Sequence, residues 1–235
     1  MAFSILVSSA CFIAKAQTAD NIISNYISFT GGAARWKTVQ TIITSGTYTY
    51  GGISFPFTTY SKRPDRYKFI VPFNGKYFAQ AFNGETGWKI DAFKGETKKT
   101  ILTGAPARAM LNEADVALEP AFINYNGKGY KAMLDGQDTV ANEACFKVKM
   151  TQPSGEEETY FFSTADYRLV KKKAMSKNSE LEGAVLETTY SDYRNVAGIR
   201  LPFKAVSNAN GQPVLMIILK NVVLNKPLAD KLFQP

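Results

Sequence analysis

The sequence predicts a mainly β chain of the α+β class, a curled antiparallel sheet of about eleven to thirteen strands with helices covering its concave face. Three observations carry this expectation. Short stretches of alternating apolar and polar residues, rich in Thr, Tyr, Val, Ile and Phe, follow one another along most of the chain. Tight-turn pairs separate many of them, among them Asn74-Gly75, Asn83-Gly84 and Asn210-Gly211, whose residues tolerate the positive φ of a hairpin turn. Only two stretches, 18–30 and 104–126, carry helical periodicity instead. So many strands curl rather than leave a flat exposed face, and the two helical stretches remain to fill the curl.

The chain begins with an apolar run over residues 2–13, too short to cross a bilayer, followed by the small-x-small pattern Ala14-Lys15-Ala16. Residues 1–16 therefore read as a signal peptide cleaved after Ala16, which places the mature chain, 17–235, in the periplasm as one domain. No Lys or Arg precedes the run. Cys11, after Ser8-Ser9-Ala10, offers a competing lipidation box that lacks the usual Leu three residues earlier. Once the signal is removed Cys145 is the sole cysteine, so no intrachain disulfide forms. Its alternating surroundings make it a small buried hydrophobe rather than a nucleophile.

Residues 18–30 put Ala19, Ile22, Ile23, Tyr26 and Ile27 on one helical face, with Thr18 as N-cap and Gly31-Gly32 as the stop. Trp36 follows in a connector. Strands are expected over 39–50, 53–62, 66–73, 76–82 and 86–90. The stretch 104–126 aligns Ala107, Met110, Leu111, Ala114 and Leu118, with Pro106 in a first turn and Pro120 dividing it into two short helices. We read it as a lid across the concave side; a pair of helices packed there permanently as core is the alternative. Strands resume over 130–134, 143–151, 157–163, 167–175, 184–193, 199–207 and 213–224.

The chain has no histidine, which removes the commonest general base and metal ligand and every Ser/His or Cys/His arrangement. The run Glu156-Glu157-Glu158 abuts a Pro-Ser-Gly turn and reads as solvated. Asp91, Asp135 and Asp138 also read as turn residues, and no two carboxylates are marked as facing partners. No enzyme, cofactor or metal is expected. The net charge is +8, or +7 without Lys15, but the basic residues are scattered. Lys171-Lys172-Lys173 lie on a strand where neighbours face opposite ways, so no nucleic-acid partner is expected.

What remains is apolar surface. Tyr67, Phe69, Val71 and Phe73 share one face of a strand, and Ile53, Phe55 and Phe57 share a face of its hairpin partner. Such stripes also read as plain core. The contrast with a lid of Ala, Met and Leu, small or flexible side chains, favours a ligand space lined by Phe55, Phe57, Tyr67, Phe69, Val71, Phe73, Met110 and Leu111.

Nearly all of the mature chain resembles the LolA-like superfamily of periplasmic lipoprotein carriers, above all its Bacteroidetes-type outer membrane lipoprotein-sorting proteins. The landmarks are Gly31-Gly32 with Trp36 close behind, Asn83-Gly-Glu-Thr-Gly-Trp88, Cys145-Phe-Lys-Val-Lys, Thr159-Tyr-Phe, Tyr167-Arg-Leu-Val-Lys, Tyr190-Ser-Asp-Tyr, Gly198-Ile-Arg-Leu-Pro-Phe and the closing Asn225-Lys-Pro-Leu-Ala-Asp-Lys-Leu-Phe. The resemblance implies an unclosed β-barrel whose apolar cavity accepts the acyl chains of lipoproteins or lipids. It implies a monomeric carrier that meets protein partners in the inner and outer membranes. A sensor of envelope lipid or polypeptide on the same fold is the alternative. The well-studied carriers hold the lid with an arginine inside the barrel; Arg35, Arg63, Arg66 and Arg108 all remain open for that role.

Overall fold

The computed structural model describes residues 17–104, 106–107, 110, 122–176, 181 and 183–235. The expected signal peptide, Cys11, Arg108, Leu111 and most of the expected lid lie outside the described residues.

Helix α1 spans Ala19–Phe29, and Thr18 caps it by accepting from the Asn21 N–H at 3.2 Å. Its far end passes so close to the 197–198 turn that a Cβ on Gly31 would lie 2.3 Å from the Gly198 carbonyl oxygen, and Gly31 itself holds φ +118°. Only glycine meets both conditions. The expected connector contains a second helix, α2 (Ala33–Lys37), which buries Trp36; the indole N–H donates to Thr30 Oγ1 at 3.2 Å.

Thirteen strands follow: β1 Thr41–Tyr50, β2 Ile53–Lys62, β3 Arg66–Phe73, β4 Lys76–Phe82, β5 Gly87–Asp91, β6 Thr100–Leu102, β7 Lys131–Val140, β8 Glu143–Thr151, β9 Glu157–Ser163, β10 Leu169–Met175, β11 Val185–Val196, β12 Ile199–Ala209 and β13 Gln212–Leu224. They form one antiparallel sheet in the order β6-β5-β4-β3-β2-β1-β13-β12-β11-β10-β9-β8-β7. Its two edges, β6 and β7, do not pair, so the barrel is unclosed. The short β6 was not legible in the sequence. Strand β7 runs past its expected end because a bulge between Leu134 and Gln137, with Gly136 at φ +84°, absorbs the turn-like residues. Asp135 and Asp138 accordingly lie within a strand rather than at turns.

The curl follows from what surrounds α1. Ile22, Ile23 and Tyr26 lie in one cluster with Val148, Met150, Tyr160, Phe162 and Leu169, against which Ala132 and Leu134 of β7 also pack. Ile27 packs against that cluster and against a second one containing Trp36, Ile42, Ile199, Phe203 and Val222. From β7 to β1 a flat sheet would measure about 34 Å across at the usual strand spacing. An 11-residue helix is roughly 16 Å long and about 10–12 Å thick, so the sheet wraps around it.

Phe122, Ile123 and Tyr125 enter the same two clusters. The far end of the 104–126 stretch is thus core, built on turns rather than helix. On the convex side the C-terminal residues cross β2–β5. Trp88 Nε1 donates to the Phe233 carbonyl at 2.8 Å, and Lys62 Nζ donates to the Leu228 carbonyl at 2.8 Å and to Asp230 at 2.5 Å. Cys145 is buried with Val140, Phe161 and Val170, and burial raises its thiol pKa, as befits a small hydrophobe.

Candidate functional site

Residues paired directly across a ladder share a face of the sheet. Ile42, which packs against the Trp36 cluster, pairs with Ser61; Ser61 pairs with Tyr67, and Tyr67 with Phe82. Alternation then places Phe55, Phe57, Tyr67, Phe69, Val71 and Phe73 together on the helix-covered, concave face. The register adds residues that the strand-by-strand reading missed: Tyr48 opposite Phe55, Phe78 opposite Val71, and Tyr50 opposite Ile53. The rings touch. Phe69 lies 6.0 Å from Phe57, 6.1 Å from Tyr48 and 6.1 Å from Phe78, while Phe55 and Phe73 are 5.1 Å apart. Phe93, in the 3-10 turn after β5, joins this last pair at 6.3 and 6.4 Å.

This aromatic field differs from the other half of the concave face. There α1, Trp36, Phe122 and Tyr125 fill the space between strands. None of the six predicted side chains of β2 and β3 belongs to those clusters. Phe57 and Val71 are buried, Phe55, Tyr67 and Phe69 half-buried, and Phe73 exposed. Exposure is greatest at Phe73, beside the β3–β4 turn, and we call this aromatic stripe the trough.

Met110 is buried and meets the same face at β5, where its Sδ lies 2.8 Å from the position of a Cβ on Gly87, with the Ala107 Cα at 3.5 Å. Gly87 pairs with Phe82 and Leu102, so Met110 sits at the sheet's β6 edge beside the aromatic field. An open depression of about 580 Å³ lies at the β3–β4 turn, lined by Pro56, Ile70, Pro72 and Tyr77 together with Phe73 and Lys76. By alternation the first four point away from the trough, whereas Phe73 and Lys76 stand on its side, so the depression adjoins the trough at Phe73.

The concave face carries one polar group that the sequence reading misplaced. Glu158 is not a solvated turn residue: it lies in β9 opposite Met150 and pairs with Lys172 at 2.7 Å, and Tyr160 donates to it. Lys171 and Lys173 face the convex side and pair with Glu187, so the three lysines alternate as expected. Around α1, burial pushes the Tyr190 hydroxyl up to about 12 and raises those of Tyr26, Tyr160 and Tyr193 as well. Of the arginines, Arg35 donates to the Ala197 carbonyl, Arg63 to the Val39 and Trp36 carbonyls, and Arg66 pairs with Asp230 on the convex side. No cluster of three metal-ligating side chains occurs among the described residues.

No protein-family model matches the sequence, and no curated protein matches it. Solved structures do. A DUF1329 family protein from Desulfovibrio piger superposes with TM-score 0.62 at 14% identity, over 92% of this chain and 97% of that one. A LolA superfamily protein from Nitrosomonas europaea gives 0.59 at 14% identity, over 94% and 99%. An outer membrane lipoprotein-sorting protein domain from Vibrio parahaemolyticus gives 0.57 at 10% identity, over 92% and 95%. With its unclosed antiparallel sheet wrapped around an N-terminal helix, this chain has the LolA-like fold.

Proposed function

We propose that the protein is a non-enzymatic periplasmic carrier that shelters the acyl chains of lipoproteins or lipids in its aromatic trough. The observation that carries this reading is the split concave face: one half is filled by α1 and the residues around it, the other presents contiguous aromatic rings, most of them only partly buried. A long acyl chain left in water costs roughly 10 kcal/mol at about 0.8 kcal/mol per CH₂. A trough of packed rings offsets that cost better than scattered surface residues do. The lipoprotein-sorting domain from Vibrio parahaemolyticus, which shares the fold, supports the same reading.

The test is mass spectrometry of the mature protein purified from its native envelope, beside the same preparation of Phe69→Ser. The expected result is co-purifying acylated lipid or lipoprotein, at least about tenfold depleted in the variant. A protein that leaves with an empty trough and a stoichiometric protein partner would instead favour an envelope sensor.

A further inference from the structure

One end of the half-barrel is apolar at its surface and the other is not. The antiparallel order places the β1–β2 turn, the β3–β4 turn, the segment after β5 and the β12–β13 turn at the same end. The end of β10 and the start of β11 lie there too. Seven of the eight large apolar side chains that are substantially exposed among the described residues stand within three residues of the strand termini at this end; the eighth, Ile101, pairs with Trp88 near the start of β5, toward the other end. Ile53, Phe73, Tyr77 and Phe93 form the concentrated part, at 56%, 37%, 39% and 40% exposure. The turns of the opposite end, at 63–65, 83–86, 141–142, 164–168 and 197–198, contribute none. Chance scatter of surface hydrophobes does not respect strand direction; a docking rim does.

Ring contacts hold the tips together. Phe73 at the end of β3 and Phe93 after β5 both touch Phe55 near the start of β2, so three segments present one surface. Lysines stand on the same tips, with Lys76 and Lys94 both exposed. The nearby carboxylates are engaged within the turn: Asp91 accepts from the Phe93 and Lys94 N–H groups and lies 4.0 Å from Lys94 Nζ, and Glu96 accepts from the Asp91 N–H. Aromatic and aliphatic side chains flanked by these two lysines match the chemistry of a bilayer interface bearing anionic lipid.

We infer that this rim docks the protein on an anionic lipid surface, with Ile53, Phe73, Tyr77 and Phe93 entering the headgroup region and Lys76 and Lys94 facing lipid phosphates. The inference rests on the carrier reading for its purpose, because Phe55 and Phe73 belong to both the rim and the trough. Docking by the rim brings the Phe73 end of the trough against lipid, so that an acyl chain passes between the two with little exposure to water.

The test is flotation of the mature protein with vesicles of phosphatidylethanolamine and phosphatidylglycerol, beside vesicles of phosphatidylcholine alone. The expected result is salt-sensitive binding to the anionic vesicles, about tenfold or more weaker for Phe73→Ser/Phe93→Ser and for Lys76→Glu/Lys94→Glu. Lys37→Glu on α2, away from the rim, controls for net charge and should bind nearly as wild type. As a second readout, Phe93→Trp should be quenched by brominated lipid in the anionic vesicles. Absence of wild-type binding, equal loss in Lys37→Glu, or unquenched Phe93→Trp on bound protein overturns the inference. So does a rim that captures a membrane protein while ignoring lipid. The carrier reading fails separately: vesicle binding by a protein that takes up no fluorescent fatty acid sinks the carrier and leaves the rim. Uptake of fatty acid without vesicle binding does the reverse.

Discussion

The sulfur of Met110 occupies the space that a side chain on Gly87 would fill, 2.8 Å from the ideal Cβ position. Gly87 lies on the concave face of β5, opposite Phe82 and Leu102, so its missing side chain forms a notch at the edge of the aromatic field. The residue shows no positive φ, which makes space rather than backbone conformation the reason for glycine here.

Gly87→Val should therefore push Met110 and Ala107 off the sheet without straining the strand. The expected outcome is a stability loss of about 1–3 kcal/mol by overpacking, with increased binding of an apolar fluorescent dye to the uncovered rings. Urea unfolding and dye titration of the same samples check it. A variant as stable as wild type that binds no more dye would mean that Met110 does not cover the field.

The two halves of the concave face should respond differently to truncation. Phe162, fully buried against Tyr26 and Phe122, should cost about 3–5 kcal/mol on change to Ala. Phe73, partly exposed at the rim, should cost within about 0.5 kcal/mol. Phe69→Ala should fall between them in stability while losing most acyl-chain binding. Paired denaturation and fatty-acid binding curves separate core from trough. Equal costs at Phe162 and Phe69 would make the trough ordinary core.

Glu158 and Lys172 form an ion pair on the concave face beside Met150, with Tyr160 donating to the same carboxylate. Removing Lys172 takes its charge from a carboxylate that is largely out of water. Lys172→Met should destabilise by about 1–3 kcal/mol, and the double change Glu158→Leu/Lys172→Met should recover much of that loss. A double-mutant cycle with a coupling energy near zero would show that the pair is dispensable.

The buried tyrosines make the fold sensitive to alkali. Tyr190 keeps its proton up to about 12 in the folded state, against 10.0 when unfolded, chiefly because burial disfavours the phenolate. A raised folded pKa contributes stability that is fully present below pH 10 and is lost as the pH climbs toward 12. The shift corresponds to at most about 3 kcal/mol. Melting temperatures measured from pH 9 to pH 12 should fall steeply for wild type and less steeply for Tyr190→Phe. Parallel slopes would locate the alkaline sensitivity elsewhere.

Local chemistry makes much of the fold legible from residue order alone. The bounds of β2, β3, β4, β8 and β9 match the expected ones, because residue alternation and turn pairs such as Asn74-Gly75 act within a few positions of the chain. The same locality accounts for Thr18 capping α1, for the opposite faces of Lys171 and Lys172, and for Cys145 as buried packing. It also accounts for the grouping of Phe55 with Phe57 and of Tyr67 with Phe69, Val71 and Phe73, since strand period alone sets those faces.

Tertiary structure alone decided what those faces meet. Register brought Tyr48 and Phe78 beside the predicted residues, and α1 docked on β7–β10 rather than on β2–β4, leaving one aromatic stripe half-buried while filling the other. Glu158 has the local surroundings of a loop carboxylate, and only β10 places Lys172 opposite its strand. The three-residue β6 exists only because β5 offers it an edge, and Trp88 finds its hydrogen bond in the C-terminal segment, far along the chain. Each depends on contacts between residues distant in sequence, which no periodicity encodes, because a side-chain pattern specifies which face is apolar but not which element covers it.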